Sequence, residues 1–145
     1  MFFGEYTHTM DASGRVSLPS QFRSQLPREL KVVKGLDKCV WLFTNEAYEK
    51  FRNGIQARAE FDELKGAHRK ILRMLHAGTQ DVELDKPGRI RLGQDFRDYA
   101  SLDKEVVVTG NGDRIELWDP NEWDKYTSGV DIEDLVESLA EQGLR

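Results

Sequence analysis

The amino-acid sequence predicts a mainly β protein with short helices, an α+β fold assembled from two similar units. The stretch DASGRVSLP at residues 11–19 returns as DKPGRIRLG at residues 85–93. Short runs in which apolar and polar residues alternate accompany each copy, and turn residues separate these runs. Each unit has roughly 45 residues, which is too few to bury a good core alone. We therefore expect the two units to pack against each other or against copies in other subunits.

The repeat continues well beyond the quoted stretch. With Asp11 aligned on Asp85 and one residue inserted further on, the units match at glycine, arginine and apolar positions. The matching pairs include Gly14 and Gly88, Arg15 and Arg89, Val16 and Ile90, Leu18 and Leu92, Phe22 and Phe96, Val40 and Ile115, and Leu42 and Leu117. A match of this length predicts a duplicated domain. The predicted parts are a first repeat at 1–50, a helical linker at 51–78, a second repeat at 79–124 and an acidic helical tail at 125–145.

In the first repeat two short strands, YTHTM and RVSLP, flank the DASG turn, and RIRL repeats the second of these strands in the other unit. Gly14 and Gly88 stand where the turn needs a positive φ, which glycine adopts without a steric penalty. In RVSL and RIRL the apolar residues point to one side of the strand, because side chains alternate between its two faces. Arg15, Arg89 and Arg91 are therefore expected to point outward.

The remaining elements of each repeat are a short helix and two more strands. We expect Ser20 to cap the first short helix; the second copy has Gly93 where the first has Pro19, so the start of its helix is less well defined. LKVVKG and CVWLFT form the next strands of the first repeat, and EVVVTG and RIELWD form those of the second.

Helices are predicted after each pair of strands. Asn45 is expected to cap a helix that Gly54 interrupts, and apolar spacing predicts a longer amphipathic helix over residues 59–78 with Gly78 at its C-cap. PNEWDKYTSG and DIEDLVESLAEQ supply helical turns in the tail.

Charge is distributed unevenly along the chain. The net charge is −5, but residues 119–145 hold eight acids and two bases, so the rest of the chain is close to neutral. A near-neutral body can present a basic face, and the total charge therefore does not exclude nucleic acid. No apolar run is long enough to span a bilayer, and no signal peptide is recognised at the N-terminus. With Cys39 as the single cysteine, we expect a cytoplasmic protein.

The sequence gives little support for catalysis. Its three histidines are His8, His68 and His76, and the last two are too far apart on one helix to share a metal as a pair one turn apart would. No cysteine–histidine pair or serine nucleophile motif is present, and GNGDR at residues 110–114 lacks the features of a phosphate-binding loop. We predict a non-enzymatic protein with no metal, cofactor or small-molecule substrate.

The repeated Asp-x-x-x-Arg pattern is the remaining candidate for chemistry. A structural interpretation is that aspartate caps the turn and arginine forms an internal ion pair. A functional interpretation is that an outward arginine on a rigid hairpin presents its planar fork to a phosphate or to the edge of guanine. The candidate DNA-binding residues are Arg15, Lys86, Arg89 and Arg91, and the residues expected to support the turns are Asp11, Gly14, Asp85 and Gly88.

The segments MFFGEYTHTMDASGRVSLPSQFR and ELDKPGRIRLGQDFRDYASLDKEVVVTGNGDRIELW resemble the MraZ family of bacterial transcriptional regulators, which carry two tandem SpoVT-AbrB domains. The resemblance covers residues 1 to about 125. It implies a swapped-hairpin β-barrel of the AbrB type in which the two repeats form a pseudo-dimer. It also implies a closed ring of subunits, associated with the nucleoid, that binds double-stranded DNA at G-rich direct repeats upstream of its own division and cell-wall operon. The arginine-bearing hairpins would form the DNA-contacting face.

Two other functions fit parts of the sequence. The hairpins could be purely structural, with the acidic tail acting in an oligomeric protein-interaction scaffold. An antitoxin-like role is a further alternative, since smaller relatives of the same barrel have it.

Overall fold

The computed structural model describes residues 1–58 and 60–143, and its two halves contain similar elements in the same order. The first half consists of β1 (Glu5–Thr9), β2 (Arg15–Ser17), α1 (Ser20–Arg23), β3 (Glu29–Lys34), a short 3₁₀ turn (Leu36–Lys38), β4 (Val40–Thr44), α2 (Asn45–Gln56) and α3 (Gly66–Ala77). The second half consists of β5 (Thr79–Glu83), β6 (Arg89–Arg91), α4 (Gln94–Tyr99), β7 (Glu105–Asn111), β8 (Arg114–Trp118), α5 (Pro120–Thr127) and α6 (Ile132–Glu141). The α+β class and the duplication predicted from the sequence are confirmed.

The strands form a six-stranded antiparallel sheet in the order β1-β7-β8-β4-β3-β5 and a two-stranded ribbon of β2 and β6. Both edge strands come from the opposite repeat to the strand that they pair with: β1 pairs with β7, and β5 pairs with β3. The ribbon and the central β4–β8 pair also join the two repeats. Neither repeat could complete this sheet alone, which agrees with the small size of each unit.

The larger sheet is open, with β1 and β5 at its edges, and no strand pairing within the described residues closes it into a barrel. β2 and β6 are each three residues long and pair with each other. An isolated bridge between Met10 and Val16 connects the end of β1 to this ribbon. The hydrogen-bonded ladder therefore stops short of the closure expected for a barrel.

The core lies between the large sheet and the β2–β6 ribbon. Val16, Leu18, Phe22 and their counterparts Ile90, Leu92 and Phe96 are buried in it, as the strand alternation predicts. On β4, Val40 and Leu42 face this core, whereas Trp41 and Phe43 face a second apolar cluster on the other side of the sheet. Side chains of α2, α3 and α5 pack against the second cluster, so both faces of the sheet are covered.

The ends of several helices differ from the prediction. Ser20 is the first residue of α1 rather than its cap, and α1 has no side-chain cap. Thr44, not Asn45, caps α2: its hydroxyl accepts a hydrogen bond from the Ala47 N–H at 3.1 Å. Helix α2 continues through Gly54 to Gln56.

The amphipathic helix of the linker is shorter than predicted. Helix α3 begins at Gly66, because the preceding segment forms turns in which the Asp62 N–H donates to His68 Nδ1 at 2.7 Å. The predicted start at residue 59 lies outside the described residues, as do the last two residues of the predicted tail. Gly78 is confirmed as the C-cap of α3. No helix in the described part of the chain has the length and apolar character needed to cross a membrane.

Candidate nucleic-acid interface

The β2–β6 ribbon places arginines from both repeats on one outer face. Val16 and Ile90 lie opposite each other at its centre and are fully buried. The residues on either side of them along each strand therefore point away from the core. Arg15 lies opposite Arg91, and Ser17 lies opposite Arg89. Three guanidinium groups thus share a short, doubly anchored ribbon, as the sequence predicts for the direction of each side chain.

The first turn is organised by the carboxylate of Asp11. Its Oδ1 accepts hydrogen bonds from the N–H groups of Ser13 at 3.0 Å and Arg15 at 2.9 Å, and from the Ser13 hydroxyl at 2.8 Å. These bonds, led by the one from the Arg15 backbone, hold the pKa of Asp11 below its usual value. The carboxylate is therefore ionised at neutral pH and keeps the turn closed.

The second turn has the same backbone and a different side-chain arrangement. Asp85 Oδ1 accepts from the Arg89 N–H at 2.6 Å, and Asp85 Oδ2 accepts from Arg89 Nε at 2.9 Å. Desolvation is the largest single influence on the pKa of Asp85 and acts to raise it. The hydrogen bonds and positive charge of Arg89 together outweigh desolvation, so the pKa is lowered. Here the aspartate orients the arginine directly.

Each turn is also fastened to the opposite repeat. The Leu18 N–H donates to the Gly88 carbonyl at 3.0 Å, and the Leu92 N–H donates to the Gly14 carbonyl at 2.9 Å. Arg91 Nε donates to the carbonyl of Ser13 at 3.0 Å. This reciprocal bonding fixes the spacing between the two turns and hence between their arginines.

Glycine is required at both turns. Gly14 has a φ of +88°, and a Cβ there would lie 2.5 Å from the Leu92 carbonyl oxygen. Gly88 has a φ of +87°, and a Cβ there would lie 2.0 Å from Cδ of Arg23. The predicted need for a positive φ is confirmed, and the close contact with the opposite repeat adds a second reason that the sequence did not reveal.

The arginines remain available to a ligand. The side chain of Arg15 is 45% exposed, and its Nη1 donates to the Ser13 hydroxyl at 2.7 Å. The side chain of Arg89 is 39% exposed; Nε is its donor to Asp85, and its two terminal amino groups have no hydrogen-bond acceptor among the described residues. A planar guanidinium held at Nε presents those terminal groups in a fixed orientation.

A concave surface of about 690 Å³ lies beside the ribbon. Five basic residues and two acids line it: Arg15, Arg28, Lys86, Arg89, Arg91, Glu83 and Asp85. The structure thus brings the four predicted DNA-binding residues to one surface and adds Arg28, which pairs with Glu83 at 3.1 Å. Arg28 lies outside the repeated Asp-x-x-x-Arg pattern, so that pattern did not predict its place on this surface.

Two further arginines, Arg23 and Arg97, support the turns from behind. They occupy equivalent positions in the two repeats and lie half-buried against the glycine of the opposite turn. Arg23 Nη1 also donates to the Pro87 carbonyl at 2.7 Å. The sequence repeat aligns Arg23 with Arg97. The fold adds that the side chain of each contacts the turn of the opposite repeat.

No group of three potential metal ligands occurs among the described residues. Burial, followed by the charge of Glu116, raises the pKa of the Cys39 thiol to about 12. Burial and the charge of Arg23 lower the pKa of His8. Both groups are therefore neutral at neutral pH, and neither lies on the concave surface.

Comparison with known proteins agrees with the duplicated fold. A family described as "MraZ protein, putative antitoxin-like" matches the chain twice, over residues 1–73 and 75–144. A protein of Carboxydothermus hydrogenoformans named Transcriptional regulator MraZ is 38% identical, over 97% of this chain and 98% of its own length. Proteins of the same name from Acetivibrio thermocellus and Alkaliphilus oremlandii are 36% and 34% identical, each over 99% of this chain and their full length. These matches, together with the paired Asp-x-x-x-Arg turns, establish that the chain belongs to the MraZ family.

Proposed function

We propose that this protein is a non-enzymatic transcriptional regulator that binds double-stranded DNA through the arginine-bearing face of the β2–β6 ribbon. The name of its relatives, transcriptional regulator, supports this role. The observation that carries the proposal is the group of outward guanidinium groups from both repeats on one rigid ribbon. Such a protein acts in the cytoplasm, at the nucleoid.

The chemistry of the ribbon suits the major groove of DNA. A guanidinium fork can donate two hydrogen bonds to O6 and N7 of guanine, which contributes about 1–3 kcal/mol of discrimination for each good pair. Lys86 and Arg91 then contact phosphates, and Asp11 and Asp85 orient the turns without touching the DNA. We extend the proposal to G-rich direct repeats upstream of the protein's own division and cell-wall operon.

One ribbon alone gives too little discrimination for a selective regulator. A closed ring of subunits would present many copies of the ribbon, and repeated DNA sites would raise affinity through effective concentration. The ring and the swapped-hairpin pseudo-dimer are both part of this proposal. So is the division of the chain into repeats at 1–50 and 79–124, a linker at 51–78 and a tail at 125–145. Support for the pseudo-dimer comes from the pairing of β1 with β7 and of β5 with β3.

Gel-shift titration of the upstream region tests the proposal. Arg15→Ala and Arg89→Ala should each weaken binding by about 5- to 150-fold, which corresponds to a loss of about 1–3 kcal/mol. Arg58→Ala is the matched control, because it removes an exposed guanidinium outside the ribbon and should leave affinity unchanged. Affinity of the wild-type protein should fall steeply between two salt concentrations. Full affinity in both ribbon variants would contradict the proposal.

An antitoxin-like or scaffold role is the second candidate. The description of the matched family and the exposed apolar residues of α6 favour it. In that case the Arg15→Ala and Arg89→Ala variants would keep their DNA affinity, whereas changes on α6 would remove binding to a protein partner.

A further inference from the structure

Helix α6 carries an apolar stripe that its own chain leaves exposed. Ile132, Leu135, Val136 and Leu139 recur at the spacing of one helix face. Their exposed fractions are 76%, 54%, 59% and 49%, and every residue of α6 is exposed. A contiguous apolar surface of this kind on a soluble protein marks an interaction site.

An apolar groove formed mainly by the first half of the chain has no occupant among the described residues. It has a volume of about 740 Å³ and lies between α2, α3 and the sheet. Its walls include Trp41, Phe51, Ile55, Ile71, Met74 and Leu75. Ile71 and Met74 at its mouth are 48% and 64% exposed, so large apolar side chains border the opening.

The helix and the groove carry opposite charges. Helix α6 contains four acids and no base, and α3, which forms one wall of the groove, contains three bases and no acid: Glu133, Asp134, Glu137 and Glu141 against Arg69, Lys70 and Arg73. Of these bases Lys70 lines the groove, together with Lys34, which pairs with Asp95 at 3.6 Å. Attraction between the acidic helix and the basic wall of the groove favours α6 over an uncharged apolar segment as the occupant. It also means that the surface facing α6 should be positively charged.

We infer that α6 of one copy docks by its apolar stripe into the α2–α3 groove of a second copy. Because the helix lies in the second half of the chain and the groove is formed mainly by the first half, each contact leaves one helix and one groove free for further copies. Such a head-to-tail interface produces a ring when its rotation closes. The inference rests on the proposed function in that it supplies the contact surface for the proposed ring.

Disulfide trapping between two single-cysteine variants tests the contact. Met74→Cys protein and Val136→Cys protein are mixed, allowed to exchange subunits and oxidised, and the linked species is identified by mass spectrometry. The expected product is a covalent pair that joins positions 74 and 136 of different chains. Ser138→Cys is the matched control, because it lies on the opposite side of α6 from Val136 and should not link to position 74. The natural Cys39 can remain, since it is buried and its pKa is raised to about 12.

A second experiment measures the assembly itself. Leu135→Asp places a charge within the apolar stripe and should reduce the mass seen by sedimentation velocity towards that of one chain. Ser138→Asp adds the same charge outside the stripe and should leave the mass unchanged. Because α6 is exposed along its whole length, circular dichroism and tryptophan fluorescence should show the same folded core in both variants.

The outcomes separate this inference from the proposed DNA contact. A disulfide within a monomeric Met74→Cys/Val136→Cys chain would mean that α6 folds back onto its own groove, and the inference would be wrong. It would also be wrong if the covalent pair failed to form while Leu135→Asp kept the wild-type mass. A wild-type protein that is monomeric at all concentrations would overturn both the inference and the ring. None of these results removes the proposed roles of Arg15 and Arg89, which are decided by gel shift.

Discussion

The two Asp-x-x-x-Arg turns have nearly the same backbone and hold their arginines differently. In both turns the aspartate N–H donates to the arginine carbonyl at 2.9 Å, and the glycine N–H donates to the aspartate carbonyl at 3.0 Å. In the first turn Ser13 lies between the aspartate and the guanidinium and bonds to both. In the second turn Pro87 takes that position, has neither an N–H nor a hydroxyl, and leaves the Asp85 carboxylate to Arg89.

The arginine is thus hydrogen-bonded directly to the aspartate in the second turn, whereas in the first turn Arg15 Nη1 stays 3.8 Å from Asp11 Oδ2 with the Ser13 hydroxyl bonded to both side chains. Direct attachment at Nε leaves both terminal amino groups of Arg89 without a hydrogen-bond acceptor among the described residues. A side chain fixed in this way would lose little entropy in the proposed contact with DNA. Arg15 is bonded through one of its terminal amino groups, which a ligand must share or displace. The comparison predicts two turns of equal architecture and unequal contribution to binding.

The largest expected effect on stability comes from replacing the turn glycines with alanine. Gly14→Ala should lower the free energy of unfolding by about 3 kcal/mol, because a positive φ and a clash with the Leu92 backbone act together. Gly88→Ala should cost about 2 kcal/mol, since the Arg23 side chain can move aside. Chemical denaturation measures both.

The control for this pair is Gly112→Ala in the β7–β8 hairpin. Gly112 has a φ of +74°, but a Cβ there would meet Met1 Cε at an ordinary 3.5 Å, so this variant reports the cost of the backbone conformation alone. If Gly14→Ala were no worse than Gly112→Ala, the close approach of the two repeats at the turn would be refuted.

The next effect distinguishes the two arginines. Arg89→Ala should weaken the proposed DNA binding more than Arg15→Ala, with each loss within about 1–3 kcal/mol. The reason is that Arg89 is held through Nε, whereas Arg15 is held through a terminal amino group that the DNA would have to share. Fluorescence anisotropy with the same DNA fragment measures both dissociation constants, and Arg58→Ala again serves as the control. Equal losses, or a larger loss for Arg15→Ala, would show that the manner of attachment does not govern the contribution.

Local patterns predicted the candidate site better than they predicted the fold around it. The outward direction of Arg15 and Arg89 and the positive φ of Gly14 and Gly88 follow from strand alternation and turn chemistry, which depend on near neighbours. The pairing of β1 with β7, the open sheet and the position of Arg28 depend on contacts between residues far apart in the chain. Local spacing carries no information about them. The predicted caps Ser20 and Asn45 each proved to be the first helical residue, because the choice between adjacent caps is finely balanced.

Acid titration tests the feature that the two turns share, which is an ionised aspartate that accepts hydrogen bonds within the turn. The pKa values of Asp11 and Asp85 are lowered in the folded protein, so their ionised forms stabilise it. This stability is present above the ordinary carboxyl pKa of 3.8 and is lost as the pH falls through the lower folded values. Asp11→Asn and Asp85→Asn should each make the fall in unfolding free energy between pH 5 and pH 2 shallower than in the wild type. Parallel curves for variant and wild type would contradict the assignment.

The smallest expected effect comes from exchanging the residue that distinguishes the turns. Ser13→Pro should leave the turn backbone intact, because Pro87 already occupies the equivalent position of the same turn. Each lost hydrogen bond to Asp11 lowers the free energy of unfolding by about 0.5–1.5 kcal/mol. Proline restricts the unfolded chain and raises the free energy of unfolding by about 0.4–1 kcal/mol. Without the Ser13 hydroxyl, the Asp11 carboxylate should accept a hydrogen bond from Arg15 Nε directly. DNA affinity should then change by less than about threefold, well below the effect of removing a base-contacting guanidinium.

Nitrogen-15 NMR of the Arg15 Nε–H group measures the new bond, and Pro87→Ser should produce the reverse change at Arg89. If Ser13→Pro weakened DNA binding as much as Arg15→Ala, the serine would itself belong to the contact, and the two turns would differ in what they bind rather than in how they hold an arginine.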